Sequence, residues 1–298
     1  MTILSPTEQL VSVDWLADHL DHPGVRVVDI RGYVRTTDLG GGRQRAGYAG
    51  APEEYAAGHI PGAVFVDWTS DITDPDNAVK AQLAGPERFA GAMESRGIGD
   101  DTFVVSVDHA GGHMATRLWW ALRAYGHDRV AILDGGYAAW SAAGKPLSTD
   151  AVTPERTIFT ARYRPELVSS IEGVLLAMET GQTAIVDARD AGQYVGSVQR
   201  GSRGGHIPGA INIPAKSLMN ADGTQKTVEE QAAIFAGAGI TAGTPVVAYC
   251  NGGVTATAVL FALERTGHSN YANYDGSWNE WGERDDVPVM SGPESGGR

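Results

Sequence analysis

The stretch VVAYCNGGVTATAVLFALE, residues 246–264, holds the only cysteine of the chain, Cys250. Val246 to Tyr249 have strand character. Asn251, Gly252 and Gly253 then allow a tight turn, and the residues from Thr255 onward suit a helix ended by Gly267. A strand that turns through small residues straight into a helix is a unit of a parallel α/β layer. Neighbouring segments continue the alternation. Residues 183–188, TAIVDA, predict a strand. Residues 227–240 predict a helix, with a Thr cap and an acidic first turn. Residues 270–276 predict a strand and turn, and SWNEWGE a final short helix. Short apolar strands separated by helices predict a mainly parallel sheet covered on both faces. Reactive groups in such sheets sit beyond the C-terminal ends of the strands, and Cys250 directly follows one.

The pattern is present twice. VVDIR at 27–31 matches IVDAR at 185–189. GHIPGAVFV at 58–66 matches GHIPGAINI at 205–213. LDGGYAAW at 133–140 matches YDGSWNEW at 274–281. A repeat unit of more than a hundred residues means duplicated domains, because solenoid repeats are only about 20–50 residues long. The expected division is a domain over 1–144, a linker over 145–167 with three prolines, and a second domain over 168–298.

The totals agree with two domains in 298 residues. Apolar residues make up 42%, enough for a packed globular protein. No apolar run approaches the roughly 18 residues of a membrane span. The acidic N-terminal stretch lacks a basic start, so no secretory signal is expected. A single thiol cannot form an intrachain disulfide and suits the reducing cytoplasm. The net charge of −13 argues against nucleic acid or an anionic membrane as partner.

A thiol reacts as its thiolate, which a helix N-terminus and an inward-curled loop of N–H groups both stabilise. Asn251, Gly252, Gly253, Val254 and Thr255 therefore form a candidate cradle around Cys250, with the glycines permitting positive φ. The other reading, a buried structural cysteine, fits a loop tip poorly. A cysteine-dependent phosphatase needs an arginine six residues on, to fork onto phosphoryl oxygens. That position is Ala256. A cysteine protease needs a histidine base. His206 is available, but its turn recurs in the copy that has no cysteine.

Together the duplicated GHIPGA, VDAR, the loop CNGGVTA and the closing YDGSWNEW resemble the tandem-domain rhodaneses, the thiosulfate and 3-mercaptopyruvate sulfurtransferases. The resemblance covers nearly the whole chain. It implies two rhodanese-like domains, each a mainly parallel sheet flanked by helices, with the N-terminal one catalytically silent. It implies that Cys250 takes a sulfane sulfur from a small anionic donor as a persulfide. The acceptor would be cyanide or a thiol, including that of a reduced redox protein. No metal or cofactor is called for. The alternative is a persulfide relay or interaction module without small-donor turnover. Aligning ATAVLFAL (256–263) on ATRLWWAL (115–122) puts His109 opposite Cys250, as a donor or a surface remnant.

Several positions depart from the family pattern. Thiosulfate-preferring members carry basic residues after the cysteine, and mercaptopyruvate-preferring ones small or polar residues. Asn251 and Gly252 resemble the second kind, without its serine hydroxyl. A substrate-binding arginine expected before Tyr194 is replaced by Gln193. A second family arginine corresponds to Arg200 or Arg203. Arg189 is expected to be structural, since Arg31 matches it in the silent copy. His59 matches a histidine near the family's active site, and Trp278 is expected to wall the pocket or pack the core. Residues 36–50, TTDLGGGRQRAGYAG, lengthen the N-terminal copy. They form either a mobile surface loop or a flap that brings Arg43 and Arg45 in place of the missing cation.

Overall fold

The computed structural model describes residues 9–109 and 112–293. The N-terminal half runs β1 (Leu10–Val11), α1 (Val13–His19), β2 (Val25–Asp29), β3 (Gly32–Gly40), β4 (Arg43–Gly50), α2 (Pro52–Ala57), β5 (Val64–Phe65), α3 (Pro86–Glu94), β6 (Phe103–Val107), α4 (His113–Ala124), β7 (Val130–Leu133) and α5 (Gly136–Ala142). The C-terminal half runs β8 (Val168–Ser169), α6 (Ile171–Thr180), β9 (Ala184–Asp187), α7 (Ala191–Tyr194), β10 (Gln199–Arg200), β11 (Ile211–Asn212), α8 (Val228–Gly237), β12 (Val246–Tyr249), α9 (Ala256–Arg265), β13 (Tyr271–Tyr274) and α10 (Ser277–Trp281).

Each half builds one five-stranded parallel sheet. The orders are β1-β7-β6-β2-β5 and β11-β9-β12-β13-β8. Read from opposite ends these are the same topology, so the repeated motifs do mark a repeated fold. Strands β6, β7, β9 and β12 are buried throughout, as sheets covered on both faces require. Local signals start the helices. Thr227 and Glu230 form a capping box on α8, and Ser12 and Ser170 cap α1 and α6.

The halves meet through equivalent helices. The Oγ1 of Thr257 on α9 donates to the Oγ1 of Thr116 on α4 at 2.9 Å. Nearby, Trp119 and Phe261 pack edge to face with ring centroids 5.2 Å apart. Both helices are almost wholly buried, and one apolar cluster runs through both halves. The loops that open α4 and α9 therefore lie at the interface.

Residues 36–50 belong to a hairpin, where the sequence reading allowed only a loop or flap. Strands β3 and β4 pair antiparallel and turn through Gly41 and Gly42, with φ of 61° and 77°. Two positive-φ residues suit a tight hairpin turn, and glycine adopts them without strain. Strand β10 of the other half pairs with β4, Gln199 opposite Arg43 and Arg200 opposite Gln44. A three-stranded sheet thus bridges the two halves.

Candidate active site

Cys250 follows the last residue of β12 and is 2% exposed. The loop after it is held from three sides. The Oγ of Ser277 accepts the N–H groups of Cys250 and Gly253, each at 3.0 Å, and donates to Tyr274 O. The N–H groups of Trp278 and Asn279 donate to Cys250 O and Asn251 O at 3.1 and 2.7 Å. Asn273 Nδ2 and Arg117 Nη1 donate to Gly253 O at 3.0 and 3.2 Å. Arg117 comes from α4 of the other half. It is fully buried, pairs with Asp275 and stacks on Trp120 at 4.6 Å.

These bonds leave an anion site. Among the described residues, the N–H groups of Asn251, Gly252, Val254 and Thr255 donate to no other atom. They belong to the loop that leads from Cys250 into the N-terminus of α9, where partial positive charge accumulates. The two glycines have different reasons to be there. Gly253 has φ of 69°, and an added Cβ would lie 2.5 Å from Asp275 Oδ1. Gly252 does not have positive φ, contrary to expectation. It is glycine because a Cβ would meet Asn279 Nδ2 at 2.7 Å. Thr255 precedes α9, but its side chain makes no capping bond.

A cavity of about 240 Å³ opens in front of the thiol. Of the predicted site residues, Cys250, Asn251, Gly252, Val254, Thr255, Gln193 and Arg200 line it. Gln193 Oε1 accepts from Asn251 Nδ2 at 2.9 Å. The guanidinium of Arg200 is held by the hairpin, Nε to Gln44 Oε1 at 3.2 Å and Nη2 to Thr36 Oγ1 at 2.6 Å. Burial lowers its pKa, while Tyr48, Cys250 and Asp190 favour its charge.

Six predicted residues lie outside the cavity, among them Gly253, whose N–H and carbonyl are already bonded. Arg203 donates to the carbonyls of Val287 and Trp281 at 2.8 and 2.6 Å, so its charge is spent on the backbone. Trp278 is buried in the core, its Nε1 on Arg203 O at 3.0 Å. Its ring lies 4.2 Å under the Arg189 guanidinium, and its backbone N–H is the donor to Cys250 O. His59 stacks on Tyr55 at 4.1 Å with Nδ1 2.9 Å from Tyr55 O. His206 repeats this on Tyr194, at 3.7 Å and 2.8 Å. A feature common to both halves belongs to the fold, which also removes His206 as a base. Arg43 and Arg45 are exposed on the hairpin. Side chains alternate along a strand, and the even-numbered residues of β4, Gln44 and Tyr48, face the site.

Arg189 is structural, as expected. Its Nε bonds both oxygens of Asp187 at 3.0 and 3.1 Å, and its Nη2 bonds Gly205 O at 2.7 Å. Arg31 does the same with Asp29 and Gly58 O. Arg189 also lines the cavity floor.

Sequence reasoning missed the groups that reach the cavity from afar. Tyr48 and Val34 come from the hairpin, and His113 from α4. Lys216 joins them, paired with Asp190. Burial lowers the pKa of His113 against the pull of Asp108 and Asp190. Gly41–Gly42 between alternating residues was the available hairpin signal.

His109 does not stand opposite Cys250. Strand β2 pairs Asp29 with Val107, and β9 pairs Asp187 with Tyr249. Since Asp29 and Asp187 are equivalent, the next residues, Asp108 and Cys250, are equivalent too. The N-terminal loop is one residue longer than its counterpart, which misled the helix-based alignment. His109 instead bonds Glu54 Oε2 at 2.8 Å and lies against Tyr33. Ala110 and Gly111 of that loop lie outside the described residues.

Comparison with known proteins agrees with this geometry. The model of the rhodanese-like domain matches residues 12–143 and 170–284. The 3-mercaptopyruvate sulfurtransferase of Escherichia coli K12 is 38% identical over 286 residues, covering 95% of this chain and 98% of that protein. The thiosulfate sulfurtransferase of Cricetulus griseus is 34% identical over 282 residues, covering 91% of each. The crystal structure of SseA from Escherichia coli, which has the rhodanese fold, superposes with a TM-score of 0.80 at 37% identity, covering 91% of this chain and 99% of that one.

Proposed function

Because the chain belongs to the rhodanese-like domain family and is a sulfurtransferase, we propose that Cys250 carries the sulfur as a persulfide. The sulfur comes from a small anionic donor, 3-mercaptopyruvate in preference to thiosulfate. It leaves to cyanide or a thiol, including that of a reduced redox protein in a reducing cytoplasm. We divide the chain into a silent domain over 1–144, a linker over 145–167 and a catalytic domain over 168–298.

The observation that carries this reading is the lone cysteine lining a small cavity, followed by a loop whose N–H groups at 251, 252, 254 and 255 have no acceptor among the described residues. The thiolate of Cys250 attacks the outer sulfur of the donor. The S–S bond forms as the donor's bond to that sulfur breaks, and the leaving group keeps the electron pair. The cradle holds the negative charge first on Cys–S⁻ and then on Cys–S–S⁻, without a histidine base. The donor preference follows from charge placement. Thiosulfate puts a compact dianion beside the attacked sulfur, where residues 251–255 offer no cation. Mercaptopyruvate holds its carboxylate farther away, within the same cavity as Arg200, which can fork onto it.

The test is intact mass after incubation with each donor, before and after cyanide. One added sulfur on the parent, removed by cyanide and absent from Cys250→Ser, is the expected result. A Cys250→Ser protein that still gains and transfers sulfur ends the reading. The second reading, a persulfide relay, is favoured by Gln193, where an arginine was expected and whose carbonyl is spent on Asn251. A parent that accepts sulfur from a protein persulfide but turns over neither small donor would select it.

A further inference from the structure

Attack on 3-mercaptopyruvate creates a demand that thiosulfate does not. When the C3–S bond breaks, its electron pair passes into the carbonyl and leaves the enolate of pyruvate, with negative charge on the C2 oxygen. Preorganised donors aimed at such an oxygen are among the largest contributors to catalysis. The loop cannot supply a hydroxyl here, since residues 251–254 are Asn, Gly, Gly and Val. Two hydroxyl-bearing side chains line the cavity, Tyr48 and Thr255.

The hairpin is built to present Tyr48. Register pairs it directly with Val34, and both face the cavity that holds Cys250. Its ring is fixed edge-on to Trp68, with centroids 5.5 Å apart. Its oxygen accepts from Asn279 Nδ2 at 3.1 Å. Asn279 also donates through Nδ2 to Lys80 O and through its backbone N–H to Asn251 O. The phenol is therefore tied to the cysteine loop itself. With its oxygen accepting from Asn279, the O–H proton has no acceptor among the described residues. Burial, and the nearby charge of Cys250, raise the pKa of Tyr48 against the opposing bond from Asn279, so the phenol stays protonated near neutral pH.

We propose that Tyr48 is a catalytic residue, donating its phenolic O–H to the C2 oxygen of 3-mercaptopyruvate as the enolate forms. This rests on the donor reading given above. Arg200 holds the carboxylate, the loop N–H groups hold the sulfur, and Tyr48 holds the oxygen between them. The balance closes without a further reactant. Cys–S⁻ and HS–CH₂–CO–COO⁻ give Cys–S–S⁻ and CH₃–CO–COO⁻, the thiol proton of the substrate ending on C3 of pyruvate. Tyr48 keeps its own proton at the end of the step.

The experiment is single-turnover loading of Cys250, followed by intact mass, in the parent, Tyr48→Phe and Thr255→Val, with each donor. Phenylalanine preserves the ring against Trp68 and removes only the hydroxyl. Tyr48→Phe should load from mercaptopyruvate about a hundredfold more slowly. Its loading from thiosulfate and its discharge to cyanide should stay within about threefold of the parent, because neither step makes an enolate. Thr255→Val, whose backbone N–H belongs to the cradle, should change loading from the two donors by the same factor. An unchanged Tyr48→Phe rate with mercaptopyruvate overturns the assignment, as does equal slowing with both donors. A loss confined to mercaptopyruvate in Thr255→Val in place of Tyr48→Phe moves the role to Thr255. A parent that loads from thiosulfate but not from mercaptopyruvate overturns the donor reading and this assignment together, whereas the ratio of variant to parent tests the assignment alone.

Discussion

The loops after β6 and β12 occupy the same place in the two halves and treat negative charge in opposite ways. In the N-terminal loop the carboxylate of Asp108 fills the cradle. Its Oδ1 accepts from Gly112 N at 3.3 Å, and its Oδ2 from Met114 N and Ala115 N at 3.0 and 3.2 Å. In the C-terminal loop the thiol side chain of Cys250 stands at the equivalent position, and among the described residues the N–H groups of Asn251, Gly252, Val254 and Thr255 are unpaired. One loop places a side-chain carboxylate at a helix N-terminus, and the other has no such side-chain acceptor there. The half without a thiol therefore keeps a cradle of N–H groups at the same place.

The strongest way to break this comparison is to make the loops alike. Cys250→Asp should abolish sulfur uptake entirely, measured by intact mass, while leaving the melting temperature level or higher. A variant that stays foldable only when its carboxylate is protonated would show that the C-terminal loop does not accept a fixed anion.

Next in size is Arg117. The N-terminal half serves the other by placing this buried guanidinium on Gly253 O and Asp275. Arg117→Met leaves the Asp275 carboxylate without its cation in the interior. Breaking such a pair costs about 3–5 kcal/mol, which urea unfolding would register. Stability within about 1 kcal/mol of the parent would mean that the loop is held by Ser277 and Asn273 without help from across the interface.

Arg200 and Arg203 give a sharper contrast, since the sequence could not separate them. Arg200→Ala removes a cavity cation and should lower kcat/KM for mercaptopyruvate about ten- to a hundredfold. Arg203→Ala frees two carbonyls far from the donor and should lower stability with little change in kcat/KM. The reverse pattern would show that the hairpin does not deliver Arg200 to the donor.

That pair shows what was legible in the sequence and what was not. Duplication, parallel sheets and the strand–Cys250–helix turn are written in local order and period, and the structure has them. The role of a residue such as Arg200 depends on Gln44 and Thr36, more than a hundred and fifty positions away. No local pattern announces that β10 will pair with β4, so the bridging sheet, Tyr48 and Arg117 stayed hidden. His59 and Trp278 erred the other way. They sit in motifs that mark function, but a ring stacked on Tyr55 and an indole under Arg189 serve the fold. His109 was misplaced by one residue because a helix alignment cannot see a longer loop, whereas strand register can.

The smallest expected effect tests the N-terminal loop itself. Asp108→Asn keeps the shape and one acceptor oxygen but removes the charge. The lost charge-assisted bonds and helix-terminus attraction should cost about 1–2 kcal/mol. For a chain of this size that corresponds to a fall in melting temperature of about 2–6 °C. Sulfur transfer should stay within about twofold, because among the described residues the Asp108 carboxylate bonds only the start of α4 and does not line the donor cavity. Calorimetry and kcat/KM on the same preparation decide it. Unchanged stability would mean that the N-terminal cradle gains nothing from its anion. A large loss of rate at unchanged stability would mean that the half called silent takes part in the chemistry, with His113, next to that carboxylate and facing the thiol's cavity, as the connection to examine.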